Sequence, residues 1–238
     1  MRGPYGFELN EGCRACKLRA GGFFCQLSTS TMRDLDSIKS SSAYPAGAVL
    51  FLEKQMPRGV FILCEGQVKL TISSSEGKIL ILRIAKAGEV LGLMATLSGK
   101  PYEVTAETIH PCHVAFVRRD DFLHFSSQHP DVYQGVVGQL TALYGAACEQ
   151  LRMVGLALSA PEKLARLLLD WLATSEPRAT GAEVKLSLTH EEIAEFIGSS
   201  RETVTRTFSE FRNQHIATLH GSTLMISNRA ALETLANS

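Results

Sequence analysis

The hydrophobic pattern of the chain changes its period near Pro130, and this change limits the folds open to it. Before that point, short apolar runs alternate with glycine-containing turns, which is typical of a barrel or roll. After it, apolar residues recur every three or four positions, which predicts a long amphipathic helix. The short runs are Val49–Leu52, Val60–Cys64, Val68–Ile72, Ile79–Ile84, Val90–Leu93, Val104–Ala106 and Val114–Val117.

The apolar seam of the predicted helix is longer than a small domain needs, so it is interpreted as the interface of a homodimer. The alternative is a helix packed on its own roll. Interior glycines such as Gly138 and Gly145 each weaken a helix by roughly 1 kcal/mol relative to alanine, which predicts a marginal, switchable dimer. The predicted interface residues are Val132, Val136, Leu140, Leu143, Ala147, Leu151, Val154 and Leu158.

A helix-turn-helix is predicted near the C-terminus. Thr189 and Glu192 have the spacing of a capping box, in which each side chain bonds a backbone donor at the start of a helix. Gly198-Ser199-Ser200 then forms a tight turn, and a second helix begins at Arg201. Its polar face lies near the helix start, where a recognition helix meets base edges. Its apolar face is Val204, Phe208 and Phe211.

The polar face of this second helix suits the reading of DNA. Arginine can donate two parallel hydrogen bonds to guanine, and glutamate can accept one from cytosine. The alternative, a helical hairpin with a solvated charged face, is disfavoured because caps, turn, core spacing and side-chain chemistry agree. The runs Val184–Leu188, Ile216–Leu219 and Thr223–Ile226 predict the strands of a winged helix, and Asn228 a final cap. The predicted DNA-binding residues are Ser199, Ser200, Arg201, Glu202, Thr205 and Arg206.

A cluster of cysteines opens the chain. Cys13 and Cys16 form a CxxC, and Cys25 follows after a gap of eight residues. Cys112, between two predicted strands, is the best candidate for a fourth ligand. Four thiolates can hold an iron–sulfur cluster or a zinc ion, and the spacing does not separate the two. The remaining candidates are interpreted as packing, structural or solvated residues: Cys64, Cys148, His110 and His113.

With these motifs in place, the chain resembles the superfamily of the cyclic-AMP receptor protein and FNR, the fumarate and nitrate reduction regulator, over nearly its whole length. Gly198–Arg206 is similar to the recognition element of the cyclic-AMP receptor branch, whose base-contacting residues fall on Arg201, Glu202 and Arg206. The resemblance implies a palindromic site with TGTGA-like half-sites, a homodimer and RNA polymerase as a partner. It implies an α+β fold: a cupin-like β-roll of the cyclic-nucleotide-binding type, a dimerisation helix and a winged helix-turn-helix.

The cysteines resemble those of the FNR branch, which hold an oxygen-labile [4Fe-4S] cluster. The family's three N-terminal ligands match Cys13, Cys16 and Cys25, and its distant ligand matches Cys112. The gap of eight residues before Cys25 is longer than in the best-known members of that branch. Cyclic nucleotide is not expected, because Tyr102 and Glu103 stand where receptors of the other branch carry a phosphate-binding arginine, although Lys100 is nearby.

Composition excludes several classes of function. The 238 residues carry no net charge, so any DNA contact depends on a local basic patch. No apolar run reaches the length of a membrane span and no secretory signal is present, so the expected location is the cytoplasm. No motif for catalysis is found, so an enzyme is not expected. The predicted divisions are residues 1–30, cysteine-rich; 31–128, roll; 129–158, dimerisation helix; and 159–238, DNA-binding domain.

The expected function is therefore a transcription regulator that senses oxygen, nitric oxide or redox state through an iron–sulfur cluster. One alternative is the same regulator with a structural zinc ion or a thiol–disulfide switch. A second, from a different class, is a CxxC thiol oxidoreductase, which lacks the strand–CxxC–helix context of such enzymes.

Overall fold

The computed structural model describes residues 4–7, 12–13, 16, 21–156, 159–174, 182–185, 188–220 and 223–236. The chain folds as two compact units. The first is formed from residues up to 74 together with 82–147, and the second from 75–81 together with 148 onwards. No helix among the described residues combines the length and apolarity that crossing a bilayer requires.

The first unit is a roll of two four-stranded sheets, as the alternating apolar runs predict. One sheet has the order β1-β8-β3-β6 and the other the order β2-β7-β4-β5. The strands are β1 (Lys39–Tyr44), β2 (Val49–Phe51), β3 (Gly59–Glu65), β4 (Gln67–Ser73), β5 (Ile79–Lys86), β6 (Val90–Leu91), β7 (Thr105–Thr108) and β8 (Cys112–Arg118). The helices are α1 (Thr29–Ile38), α2 (Leu93–Ser98), α3 (Arg119–Gln128) and α4 (Pro130–Gly155).

Three elements of this unit have no counterpart in the sequence prediction. Strand β1 was missed because its serines give no apolar alternation, yet it pairs with β8 from Lys39–Val117 to Tyr44–Cys112. Helices α2 and α3 are too short for a sustained helical period. Tertiary pairing rather than local pattern therefore decides these elements.

The β1-β8-β3-β6 sheet separates two apolar cores. The helix-side core lies between this sheet and the helices and includes Phe24, Leu35, Ile62, Ala115, Val117, Phe122, Val132 and Val136. The sheet-side core lies between the two sheets and includes Phe51, Phe61, Leu63, Tyr102, Ala106, Cys112 and Val114. Because neighbouring residues of a strand point to opposite faces, each residue of β3 and β8 belongs to one core or the other.

Helix α4 confirms the predicted long helix, but two residues of the predicted dimer interface lie in the core of their own chain. Val132 and Val136 are 0% and 3% exposed because they pack into the helix-side core of their own chain. Leu140 packs against the same core. Leu143 and Val154 are half-buried, Ala147 and Leu151 are exposed, and Leu158 lies outside the described residues.

The exposed apolar stripe of α4 is offset from the predicted seam. Tyr133, Val137, Tyr144 and Leu151 are all exposed, and with Leu140 and Ala147 they follow a 4-3-4-3-4 spacing. This spacing is the heptad pattern of a coiled-coil seam. The sequence did not show which residues of α4 form the seven-residue repeat, because the roll buries one face of the first turns of this helix.

The second unit is a winged helix. Helices α5 (Ala160–Thr174), α6 (His190–Ile197), α7 (Arg201–Asn213) and α8 (Arg229–Ala236) surround a sheet of order β10-β11-β9. The strands are β9 (Ala182–Lys185), β10 (Ala217–His220) and β11 (Thr223–Ile226). The hairpin of β10 and β11 matches the prediction. The strand predicted at Val184–Leu188 is observed slightly earlier in the chain, as β9. The Asn228 cap is present, since its side-chain oxygen accepts from the Ala231 amide at 3.0 Å.

Candidate nucleic-acid interface and thiol site

Capping interactions fix the angle between α6 and α7. The Thr189 hydroxyl accepts from the Glu192 amide at 3.2 Å, while the Glu192 carboxylate accepts from the Thr189 amide at 2.9 Å. Gly198 ends α6 at φ 64°, a left-handed conformation that favours glycine. Ser200 then caps α7 by accepting from the Thr203 amide at 3.2 Å. The turn is therefore held by local chemistry that the sequence predicted.

Helix α7 buries one face and exposes the other. Val204, Phe208 and Phe211 are buried, as their spacing predicts. The DNA-binding candidates are on the surface: Arg201, Glu202, Thr205, Arg206 and Ser200 are exposed and Ser199 is half-buried. Arg201 and Arg206 are five residues apart, which is roughly 7.5 Å along a helix axis. The exposed face of α7 thus carries the guanidinium groups of Arg201 and Arg206 near the helix start. The described residues of the same unit leave both side chains exposed.

Two contacts on this face were not predicted from the sequence. The His190 ring stacks on Phe208 with centroids 5.1 Å apart, and its Nδ1 lies 3.0 Å from the Thr205 hydroxyl. Burial and the charge of Arg201 lower the pKa of His190, which favours the neutral ring. Glu202 has a lowered pKa because its own amide and Ser200 donate to the carboxylate. The face therefore presents fixed positive and negative charges.

Replacing Thr189 by alanine is expected to lower the free energy of unfolding of the second unit by about 1 kcal/mol, because the Glu192 amide loses its acceptor and the Glu192 carboxylate loses the hydroxyl donor. The change in the free energy of unfolding is measured by urea unfolding followed through the fluorescence of Trp171, the single tryptophan, which lies in α5. Thr189→Ser keeps the hydroxyl and serves as the control. Equal destabilisation by both variants would contradict a role for the cap.

Cys13 lies on the helix side of the β1-β8-β3-β6 sheet. The Cys13 amide donates to both carboxylate oxygens of Asp36, at 2.9 and 3.1 Å. Lys39 donates to the Cys13 sulfur at 2.9 Å and pairs with Asp36 at 2.8 Å. Burial raises the pKa of the Cys13 thiol, and the ammonium group of Lys39 opposes part of that rise. Arg14, Lys17 and Arg19, which neighbour the cysteines in the sequence, lie outside the described residues, and Lys39 is the cation that the structure places beside the Cys13 sulfur.

Cys64 belongs to this group of thiols, which the sequence did not reveal. Cys13 and Cys64 both pack against the helix-side core. Burial raises the pKa of Cys64 to about 12; Lys39 lowers it, and the charges of Cys13, Cys16 and Cys25 raise it further. Cys13, Cys16 and Cys25 are therefore within electrostatic range of Cys64. A sequence signal exists only in the position of Cys64 at the end of a strand, before Glu65-Gly66.

Cys112 lies in the other core. It is fully buried, and its sulfur is 3.1 Å from the His110 carbonyl and 3.4 Å from the Gln67 carbonyl. Gly66 covers it so closely that a Cβ there would lie 2.5 Å from the sulfur. Burial raises its pKa, and the charged group acting on it is that of Glu65. The structure therefore places Cys13 and Cys64 against the helix-side core and Cys112 in the sheet-side core.

The donor set fits a thiolate-ligated metal centre in its chemistry. No three possible ligands among the described residues are already close enough to hold a metal ion. However, the buried Nε2 of His113 has no hydrogen-bond partner among them. His113 lies on the helix side with its ring stacked on Phe7, centroids 6.1 Å apart. A buried polar atom without a partner is costly, so the Nε2 atom of His113 fits a polar or ionic group bound on this side of the sheet.

Tyr102 fills part of the sheet-side core, at the position where cyclic-AMP receptors are expected to carry a phosphate-binding arginine. Its hydroxyl donates to the Gly59 carbonyl at 2.9 Å and accepts from the Arg58 amide at 3.2 Å. Its ring stacks on Phe51 with centroids 4.1 Å apart. A Cβ on Gly92 would lie 2.7 Å from that ring. Tyr102 is therefore a packed core residue, while Glu103 and Lys100 are exposed.

A capped helix-turn-helix with a hairpin wing, joined by a long helix to a β-roll, defines a class of DNA-binding regulators. Residues 162–235 match the Crp-like helix-turn-helix domain, and residues 42–129 match the cyclic nucleotide-binding domain. The chain belongs to the CRP/FNR superfamily and is a DNA-binding transcription regulator.

Relatives support this assignment along most of the chain. The nitrogen fixation regulation protein FixK of Bradyrhizobium diazoefficiens is 26% identical, with 94% of this chain and 93% of FixK covered. The transcriptional activatory protein AadR of Rhodopseudomonas palustris is 27% identical, with 87% and 86% covered. The structure of FixK2 from Bradyrhizobium japonicum matches with a TM-score of 0.73 at 22% identity, covering 83% of this chain and 97% of FixK2.

Proposed function

We propose that the chain is a homodimeric regulator that senses oxygen, nitric oxide or redox state through a [4Fe-4S] cluster bound by its N-terminal cysteines. The supporting observation is that Cys13, bonded to the Lys39 ammonium group, and Cys64 pack against the same core, where Cys16 and Cys25 also act electrostatically on Cys64. The resemblance to the FNR branch assigns the fourth ligand to Cys112, which stays a prediction. Whether a cluster binds and which roll cysteine completes it are separate questions.

The contacts of the cysteine segment with α4 support a link from sensor to dimer. Phe23 packs so tightly on α4 that a Cβ at Gly135 would lie 2.2 Å from its ring. Phe24, 2% exposed, packs beside Phe122 in the helix-side core, which also holds Val136. Both phenylalanines immediately precede Cys25. Any movement of Cys25 therefore disturbs the packing of α4.

Polar contacts tie the same region to the start of α4. The Asp131 carboxylate accepts from the Ser28 amide at 3.3 Å and from the Thr31 hydroxyl at 3.0 Å. A bound cluster supplies a group that oxygen and nitric oxide degrade. Loss of the cluster would then affect α4, because these contacts couple the cysteine segment to the helix that is proposed to form the dimer.

The second copy is proposed to dock on the exposed stripe of α4, defined as Tyr133, Val137, Leu140, Tyr144, Ala147 and Leu151. The heptad spacing and the exposure of its large apolar side chains support this interface. Two-fold symmetry then presents two α7 helices to half-sites about one DNA turn, roughly 34 Å, apart. TGTGA-like half-sites, contact of Arg201, Glu202, Thr205 and Arg206 with bases, and contact with RNA polymerase stay predictions.

Anaerobic purification with quantification of iron, acid-labile sulfide and zinc tests the cluster. We expect brown protein with iron and sulfide in equal amounts, whose visible absorbance is lost in air. Cys13→Ser is expected to reduce bound iron at least tenfold, and Cys148→Ser, on α4, is the matched control. Colourless wild-type protein with one zinc ion per chain would replace this proposal by the structural-zinc alternative.

The absence of cyclic-nucleotide control is a prediction of its own. Tyr102 occupies the sheet-side core and Glu103 offers a like charge to a phosphate, so titration calorimetry with cyclic AMP is expected to give no heat of binding. The cytoplasmic location, the absence of catalysis and the four-part domain division also stay predictions.

A further inference from the structure

We propose that Cys64, and not Cys112, supplies the fourth thiolate of the metal centre formed with Cys13, Cys16 and Cys25. This inference rests on the proposed iron–sulfur function and names the ligand that the resemblance assigns differently. It follows from which face of the β1-β8-β3-β6 sheet each cysteine occupies.

The pleat of β8 directs Cys112 away from the N-terminal cysteines. Ala115 and Val117 lie in the helix-side core, so alternate residues of β8 share that face. Cys112 and Val114 lie in the sheet-side core, on the opposite face. A shift of one residue in the register would exchange the two faces, and the whole ladder with β1 opposes such a shift.

The backbone of β3 directs Cys64 toward the N-terminal cysteines. Leu63 pairs with Val114 and Glu65 pairs with His113, so Cys64 is the extra residue of a β-bulge. Bulges are over-represented beside functional sites. Cys64 follows Val60 and Ile62 in the alternation of β3, so it lies on the helix side, packed against the same core as Cys13 and Phe23.

The polar surroundings of this face suit a thiolate centre. Lys39, which bonds the Cys13 sulfur, also acts electrostatically on Cys64 and on the His113 ring. The unpartnered Nε2 of His113 lies on the same face, and His113 is the residue of β8 opposite the bulge. Cations and N–H donors around thiolates and sulfide are the groups that tune such centres. Cys112 has carbonyl oxygens beside it instead.

The steric surroundings of Cys112 also argue against it as the fourth ligand. Its sulfur is sealed beneath Gly66, and Tyr44 pairs with it across the ladder. Reaching the helix side would require its side chain to cross the sheet. Cys64 already lies on that side, packed against the same core as Cys13.

Anaerobic reconstitution with ferrous iron and sulfide tests the assignment on the full-length protein. We compare wild type, Cys64→Ser, Cys112→Ser, Cys112→Ala and Cys148→Ser, and measure iron, sulfide and the visible spectrum. We expect Cys64→Ser to lose at least nine-tenths of the iron, while the other variants keep the wild-type content. Circular dichroism of each apoprotein checks the fold, because Cys112 is buried and its substitution perturbs the core.

The outcomes distinguish this inference from the proposed function. Retention of the cluster by Cys64→Ser overturns the inference, and so does its loss in a folded Cys112→Ala variant; in both cases the iron–sulfur function stands. Failure of wild-type protein to bind iron and sulfide overturns the proposed function itself. A zinc-loaded wild type whose zinc is lost in Cys64→Ser, but not in Cys112→Ala, keeps the ligand assignment and changes only the metal.

Discussion

Tyr144→Glu is expected to convert the dimer into a monomer. Tyr144 is 75% exposed in the single chain, at the middle of the exposed stripe of α4. In a two-fold seam the same position of both helices meets, so the substitution brings two carboxylates together and removes an aromatic contact. Desolvating like charges costs several kcal/mol, and about 4 kcal/mol corresponds to a 1,000-fold rise in Kd.

Sedimentation equilibrium over a wide range of protein concentrations measures this change. Ala142→Glu places the same charge on an exposed residue of α4 outside the stripe and is the matched control. We expect it to leave Kd within a few-fold of wild type. Dissociation by Ala142→Glu with an intact Tyr144→Glu dimer would place the interface on another face.

Monomer formation is also expected to weaken binding to an inverted repeat much more than binding to a single half-site. The reason is that two linked recognition helices share the entropic cost of one association. Comparing a duplex carrying both half-sites with a duplex carrying one therefore reports the dimer through DNA, independently of sedimentation.

Arg201→Ala is expected to remove discrimination at one guanine in each half-site. Arg201 is exposed at the first position of α7, where a recognition helix meets base edges. A bidentate arginine–guanine pair contributes about 1–3 kcal/mol of discrimination, or roughly 5- to 150-fold. Selection from a random duplex library followed by fluorescence anisotropy on single-base variants measures the change.

Arg212→Ala is the matched control, because Arg212 is an exposed arginine in the last turn of the same helix. It is expected to leave the base preferences unchanged, and any loss of affinity should be uniform across sequences and smaller in high salt. An equal loss of affinity on every duplex for Arg201→Ala would contradict direct base reading. The exposed arginine would then act on the phosphate backbone alone.

The two predictions address different parts of the protein and fail separately. A monomeric Tyr144→Glu protein with unchanged base preference keeps the recognition helix and the interface as independent features. An Arg201→Ala protein that loses base preference but stays dimeric likewise shows that the recognition helix and the interface are independent features.

Local chemistry in the sequence was sufficient for the winged helix. The capping box at Thr189, the left-handed Gly198 and the spacing of Val204, Phe208 and Phe211 all concern residues close in the chain. Such interactions depend on few distant contacts, so sequence alone determined α6, α7 and the hairpin. Period and glycine turns likewise determined most strands of the roll and the existence of α4.

Only the tertiary structure decided which face each element presents. Val132 and Val136 looked like seam residues, but the roll buries them because α4 starts against its own sheet. Strand β1 exists because β8 pairs with it. The sequence predicts packing for Cys64 and metal binding for Cys112, but spacing along the chain does not record which core each strand residue faces. Long-range pairing and register carry that information, and they are formed by the whole sheet at once.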